Sequence, residues 1–202
     1  MTIATDDPEG ATPLDIDETD GLKFRHVSTR GELDRLEQAN IETGLRWLTR
    51  QKKPDVLSER FAIALHKHLF GDVWKWAGTF RRTGKNIGVD PIHIGVELRK
   101  LLDDARYWRE HDTYPPSEAA IRFHHRLVFI HPFPNGNGRH ARIMADTLLE
   151  KVYGVAPIDW VGGHDLQAMN ERRNQYIDAL KAADRGDLGP LLVLVGPRAD
   201  LR

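Results

Sequence analysis

The sequence predicts a mainly α protein, a compact helical bundle with one short β-hairpin near an anion-binding loop. Two observations predict the bundle. Apolar residues recur at helical spacing along most of the chain, as in Leu33, Leu36, Ile41, Leu45 and Leu48. Breakers then divide those stripes into segments of ordinary helix length, at Pro54, at Gly71 and at Tyr114-Pro-Pro-Ser117. A third observation predicts the hairpin: aromatics and β-formers mix with repeated Gly and Asn from Trp74 to Pro91.

In chain order, residues 1–27 are acidic and rich in Thr, Pro and Gly near their start, which reads as a mobile arm with little apolar surface to bury. A single domain is expected over 28–202, with its core at 61–183 and a first helix over 30–50. Ser28 or Thr29 can cap that helix and Glu32 falls in its first turn. A second helix follows Pro54-Asp55 through Leu57, Phe61, Leu65 and Leu69, and Gly71 ends it. A short hairpin or extended flap comes next, within Trp74 to Pro91. Val96 to Trp108 and Glu118 to Ile130 are strongly periodic helices. Leu166 to Ala183 is another, and the final apolar run, Leu191 to Val195, predicts a short docking helix.

Composition removes whole classes of function. With 29 basic and 30 acidic residues the formal charge is −1, so no global field favours nucleic acid or an anionic membrane. The absence of cysteine excludes disulfides, thiol nucleophiles and Cys-type zinc sites, and suits a reducing compartment. No apolar run is long enough to cross a bilayer and the first residues do not form a secretory signal, so a cytoplasmic protein is expected. At 202 residues the chain can bury about 70% of its unfolded surface in one core.

Chemistry concentrates in His131-Pro-Phe-Pro-Asn-Gly-Asn-Gly-Arg-His-Ala-Arg142. His131-Pro132 must stop the preceding helix, since proline lacks an N–H and drives the residue before it out of the α region. Gly136 and Gly138 permit a tight turn, and a new helix starts within or just after them. Its first N–H groups and the turn amides form an anion nest backed by the helix dipole. Arg139 and Arg142, three apart, can flank its mouth and fork onto phosphate oxygens. His131, at the opposite lip, can take a proton from an attacking hydroxyl. Phe133 is read as an apolar anchor. His124, His125, His131 and His140 do not have the spacing of a zinc site, and adjacent helical histidines point about 100° apart.

This motif resembles the signature of Fic-domain proteins, the Fic/Doc family. The resemblance implies AMP transfer from ATP to a Ser, Thr or Tyr hydroxyl of a target protein, with pyrophosphate released. It further implies that His131 is the general base, that Asn137 with the Gly136 and Gly138 backbone binds phosphate, that Arg139 holds the triphosphate and that Arg142 meets its terminal phosphate. Asn135 stands where most members carry Asp or Glu toward magnesium; an amide can ligate Mg2+ but adds no charge, so the ion should rest mainly on the nucleotide. The Trp-Ala-Gly stretch is similar to the segment leading into the family's target-clamping flap, which implies a flap near Lys85 to Ile94 with Lys85, Asn86 and Ile87 beside the target chain. The layout is also similar to the subgroup labelled mobile mystery protein B, a label that names no activity.

Three readings compete: a protein adenylyltransferase; the same site used for phosphotransfer, other nucleotidyl transfer or AMP removal; and a non-enzymatic nucleotide-binding module. Target, self-modification, and an inhibitory segment or separate antitoxin are the partners the resemblance implies. The family's inhibitory glutamate motif is not intact. Glu37 and Glu42 lie in the right region, and they are either ordinary exposed helix residues or, for Glu37, a partner for Arg142 that restrains the site.

Overall fold

The computed structural model describes residues 15–24, 26–27, 29–160 and 171–196. Eight α-helices follow one another within them: α1 (Ile16–Thr19), α2 (Arg30–Thr49), α3 (Glu59–Phe70), α4 (Ile94–Glu110), α5 (Pro116–Ile130), α6 (Asn137–Leu148), α7 (Glu171–Asp184) and α8 (Gly189–Val195). The mainly α expectation holds. Helix α2 packs on α3, α4 on α5, α5 on α6 and α7 on α8, and α3 closes the group by meeting both α4 and α6.

Local chemistry explains the boundaries. Thr29 caps α2 in a reciprocal box with Glu32, each side chain bonding the other's backbone N–H. Ser58 caps α3 through the Phe61 N–H at 3.1 Å. Pro116 opens α5, where its missing N–H costs nothing. The apolar stripes then meet in one core, with Leu65, Leu69, Ile94, Leu98, Ile121, Phe123, Leu127 and Met144 fully or almost fully buried.

Two expectations differ from what is found. No hairpin forms at 80–90; among the described residues the one β-bridge joins Leu22 to Trp74. The reason lies in its carbonyls, since Thr83 and Val89 give theirs to the Arg81 guanidinium rather than to a second strand. The expected mobile arm, from Asp15 onward, packs instead on the Trp-Ala-Gly stretch. The Lys23 N–H bonds the Val73 carbonyl at 2.9 Å, the Lys75 N–H bonds the Gly21 carbonyl at 2.9 Å, and Trp76 Nε1 donates to the Glu18 carbonyl at 2.9 Å. Composition missed this because the partners lie fifty or more residues away. Ser28 and the first turn expected for the Leu166–Ala183 helix lie outside the described residues.

Candidate active site

The site is built where α5 ends and α6 begins. Helix α5 stops because His131 adopts the left-handed conformation, φ 53° and ψ 61°. That region is costly for a residue with a β-carbon and persists only where the surroundings over-determine it. The His131 ring is almost completely buried, and its Nδ1 lies 3.3 Å from the Val128 carbonyl. Since a carbonyl can only accept, Nδ1 carries the proton and the Nε2 lone pair is the basic one. Burial is the main reason that the imidazole is pushed down to about 4, partly offset by the Val128 bond. His131 is therefore neutral at pH 7, the form a general base requires.

Beyond Pro132 the loop sits on a packed floor. Phe133 is fully buried and stacks on His66, ring centroids 3.7 Å apart, as the anchor reading expected. His66 accepts the Gly78 N–H at Nδ1, 3.0 Å, which leaves Nε2–H to donate to the Asn135 carbonyl, also 3.0 Å. Its full burial holds the ring neutral, well below the usual imidazole range. Asn137 donates from Nδ2 to the Phe133 carbonyl at 2.8 Å and accepts the Phe133 N–H at 2.9 Å. Its side chain is thus spent on shaping the loop, and its backbone N–H stands at the start of α6.

Gly136 caps α6 in the left-handed region, φ 77°, with the Phe70 ring so close that an added β-carbon would lie 2.6 Å from Cζ. The twelve-residue α6 then directs its N-terminal amides and dipole at the loop mouth. Arg139 stands above the Phe70 ring, 4.8 Å from its centroid, and its guanidinium is ion-paired with Glu37 at 2.7 Å. The other Glu37 oxygen accepts Trp74 Nε1 at 2.7 Å. Glu37 is only 5% exposed, so it is no ordinary solvated helix glutamate. Its partner is Arg139 rather than the Arg142 expected from sequence. Arg142 instead stands 5.8 Å from the Tyr176 ring centroid. Tyr176 in turn meets His124 Nε2 at 2.8 Å. One turn along α6, Asp146 accepts Trp160 Nε1 at 2.9 Å, and burial lifts its carboxyl to about 6.

The remaining predicted residues divide. Lys85 is buried and ion-paired with Asp15, at 3.0 Å, and with Glu18, so it tethers α1 rather than presenting itself to a target. Asn86 and Ile87 are exposed, Ile87 by 40%. Asn135 turns Oδ1 back onto the Gly136 N–H at 2.5 Å. Among the described residues no group of three His, Cys, Asp or Glu could hold a metal ion, so the donor set does not make a magnesium cage. His140 is bonded through Nε2 to the Ala62 carbonyl at 2.9 Å, and His124 meets the Tyr176 hydroxyl at 2.8 Å. Sequence reasoning missed Arg81, His66 and Tyr176. The signal available for the first two was the Trp-Ala-Gly-Thr-Phe-Arg run and the histidine facing it from α3; Tyr176 gave none.

Residues 56–149 match the model of the Fic/DOC family. A protein of Sinorhizobium fredii named "Probable protein adenylyltransferase y4lH" is 30% identical over 189 residues, 89% of this chain and 91% of that protein. "Protein adenylyltransferase Fic" of Drosophila grimshawi is 31% identical over 135 residues, 64% of this chain, and the match spans about a quarter of its length, 26%. Among solved structures, Fic-1 of C. elegans aligns with TM-score 0.62 at 26% identity, covering 87% of this chain and 50% of that one. BepC of Bartonella tribocorum, solved with AMPPNP bound, aligns with TM-score 0.67 over 88% of this chain and 94% of that one, at 16% identity, a likeness of fold.

Proposed function

Because the chain belongs to the Fic/DOC family, we propose that it is a protein adenylyltransferase, moving AMP from ATP to a Ser, Thr or Tyr hydroxyl of a target protein or of itself. The observation that carries the reading is the neutral His131, held in a strained backbone conformation immediately before a glycine-capped helix N-terminus. The names of the relatives support it. The label mobile mystery protein B, which the layout also resembles, adds no activity to it.

In the proposed reaction the phosphates lie over the Gly136, Asn137 and Gly138 amides, and Arg139 and Arg142 bind the oxygens toward the γ end. The target hydroxyl, brought past Asn86 and Ile87, attacks the α-phosphorus in line. An O–P bond forms, the bond to the bridging α–β oxygen breaks, pyrophosphate departs, and the hydroxyl proton passes to His131 Nε2. Preorganised donors stabilise the developing charge, and the base supplies roughly 10² to 10⁴ in rate. Among the described residues no group forms a magnesium cage, so the ion would rest mainly on the nucleotide phosphates, and no step is assigned to it. No helix among the described residues is long and apolar enough to cross a membrane.

Glu37 supplies the restraint. Its carboxylate occupies the Arg139 guanidinium that the triphosphate needs, so α2 competes with nucleotide from within the chain, and this restraint requires no separate antitoxin. The test of the reaction is incubation with ATP labelled on the α or the γ phosphate, magnesium and a cell lysate. Protein-bound α label that disappears in His131→Ala is the expected result. Protein-bound γ label would replace the reading by phosphotransfer.

A further inference from the structure

One guanidinium joins the flap to the residue that bears the base. Arg81 is 3% exposed, and its side chain binds backbone carbonyls rather than a carboxylate. Nε donates to the His131 carbonyl at 2.6 Å, Nη1 to the Thr83 carbonyl at 2.9 Å, and Nη2 to the Val89 carbonyl and, at 3.4 Å, to that of Ile130. Two of these acceptors lie at the C-terminal end of α5, where positive charge is favoured by the helix dipole. The other two, Thr83 and Val89, lie just before the flap and within it. Backbone contacts repeat the link, with the Arg81 N–H on the Pro132 carbonyl at 2.9 Å and the Val89 N–H on the Ile130 carbonyl at 3.4 Å. Gly88 fits into the same corner: a β-carbon there would lie 2.5 Å from Arg81 Nη2 and 2.8 Å from His131 Cβ.

We propose that Arg81 is a positioning residue, a clasp that holds His131 in its left-handed conformation and sets the flap at a fixed distance from it. The inference rests on the reading of His131 as general base and of the 85–94 stretch as the target-docking flap. Its physical content is that a left-handed, non-glycine residue needs outside support, and that a planar fork of five N–H donors satisfies four carbonyls from two segments at once. Lysine, with a single ammonium, cannot span them. Since Arg81 faces the peptide of His131 while the phosphates are assigned to amides five to seven residues further on, its loss should affect turnover and leave nucleotide binding intact.

The experiment compares Arg81→Ala, Arg81→Lys, Gly88→Ala and His131→Ala in a Glu37→Gln background, using α-labelled ATP with the chain itself and a lysate as acceptors, calorimetric binding of ATP, and thermal melting. Arg81→Ala should lower kcat on the order of 10²-fold, the cost of about 1 Å of misplacement, with the Kd for ATP within about twofold on that same expectation. Added guanidinium ion should restore part of the Arg81→Ala rate and none of the His131→Ala rate. Gly88→Ala, which crowds the clasp while leaving the arginine in place, should lose roughly 10-fold, equivalent to one decade of barrier, and it decides the matter if Arg81→Ala melts below the assay temperature. Full transfer by Arg81→Ala or Gly88→Ala beside an inactive His131→Ala would overturn the proposal alone. A parallel loss of ATP binding and turnover without guanidinium recovery would overturn it too, as a mark of general collapse. Transfer by His131→Ala at the parent rate would remove the underlying reading and this proposal with it.

Discussion

Beneath the motif loop, Phe133, Phe70, His66 and Asn137 are buried, and both polar atoms of His66 and of Asn137 meet partners at 2.8 to 3.0 Å. Beside the loop, residues 82–90 are mostly exposed and are held by the Arg81 guanidinium and by the Lys85 pairs with Asp15 and Glu18. The floor is therefore held by close packing and short-range hydrogen bonds, which salt hardly screens. The flap is held by charge at a few points. A phosphate nest must keep its shape while different targets come and go, so rigidity belongs below the nucleotide and adjustability beside it.

Acid should break the floor most severely. His66, His124, His131 and His140 are all held below the usual imidazole range by burial, His131 and His140 at about 4. Between pH 6.5 and about 4 the unfolded chain binds protons that the folded chain refuses, so stability falls as pH falls, by up to about 1.4 kcal/mol per pH unit for each histidine. Asp146, raised to about 6, acts in the opposite direction, since its folded form keeps a proton that the unfolded form releases. One group opposes four, and the expected result is a melting temperature that drops steadily from pH 6.5 to 4; a flat profile would contradict the buried, neutral floor.

Phe133→Ala tests the same floor at neutral pH and should cost about 3–5 kcal/mol by denaturant titration, through a cavity under the loop. Gly136→Ala should cost about 1–3 kcal/mol from the left-handed backbone alone, with more from the Phe70 contact, and should weaken ATP binding. On the flap, Lys85→Met should cost only about 1–3 kcal/mol, since Asp15 is half exposed while the mostly buried Glu18 carboxylate loses its counter-charge. It should nonetheless speed hydrogen exchange at Gly21 to Lys23 and Lys75, whose N–H groups stitch α1 to the Trp-Ala-Gly stretch. Equal protection in mutant and wild type would show that charge does not tether this region.

What was legible in the sequence was local. Helical stripes, the Thr29 capping box, the stop at His131-Pro132 and the glycine turn at Gly136 all depend on residues a few positions apart, and α2 to α6 were found from them. The Phe133 anchor was legible because an apolar residue inside a polar loop must bury itself. What escaped depends on pairing across the chain. Glu37 meets Arg139 across 102 positions, and nothing along α2 tells whether it faces solvent, Arg139 or Arg142. Arg81 is one more residue of the Trp74 to Pro91 stretch until its carbonyl partners at Ile130 and His131, about fifty residues away, are seen. Asn137 reads as a phosphate ligand by type, although its side chain closes the loop on itself.

The most direct test of the whole account is the rate of AMP transfer from α-labelled ATP by four chains measured together: wild type, Glu37→Gln, Glu37→Gly and Glu37→Gln with His131→Ala. Glu37→Gln keeps an acceptor for Trp74 Nε1 while removing the charge that holds Arg139. The account predicts a slow wild type, a faster Glu37→Gln and Glu37→Gly, and no transfer by the chain lacking His131. Equal rates for wild type and both Glu37 variants would contradict the restraint, and transfer by the His131-deficient chain would contradict the assignment of the base on which everything else stands.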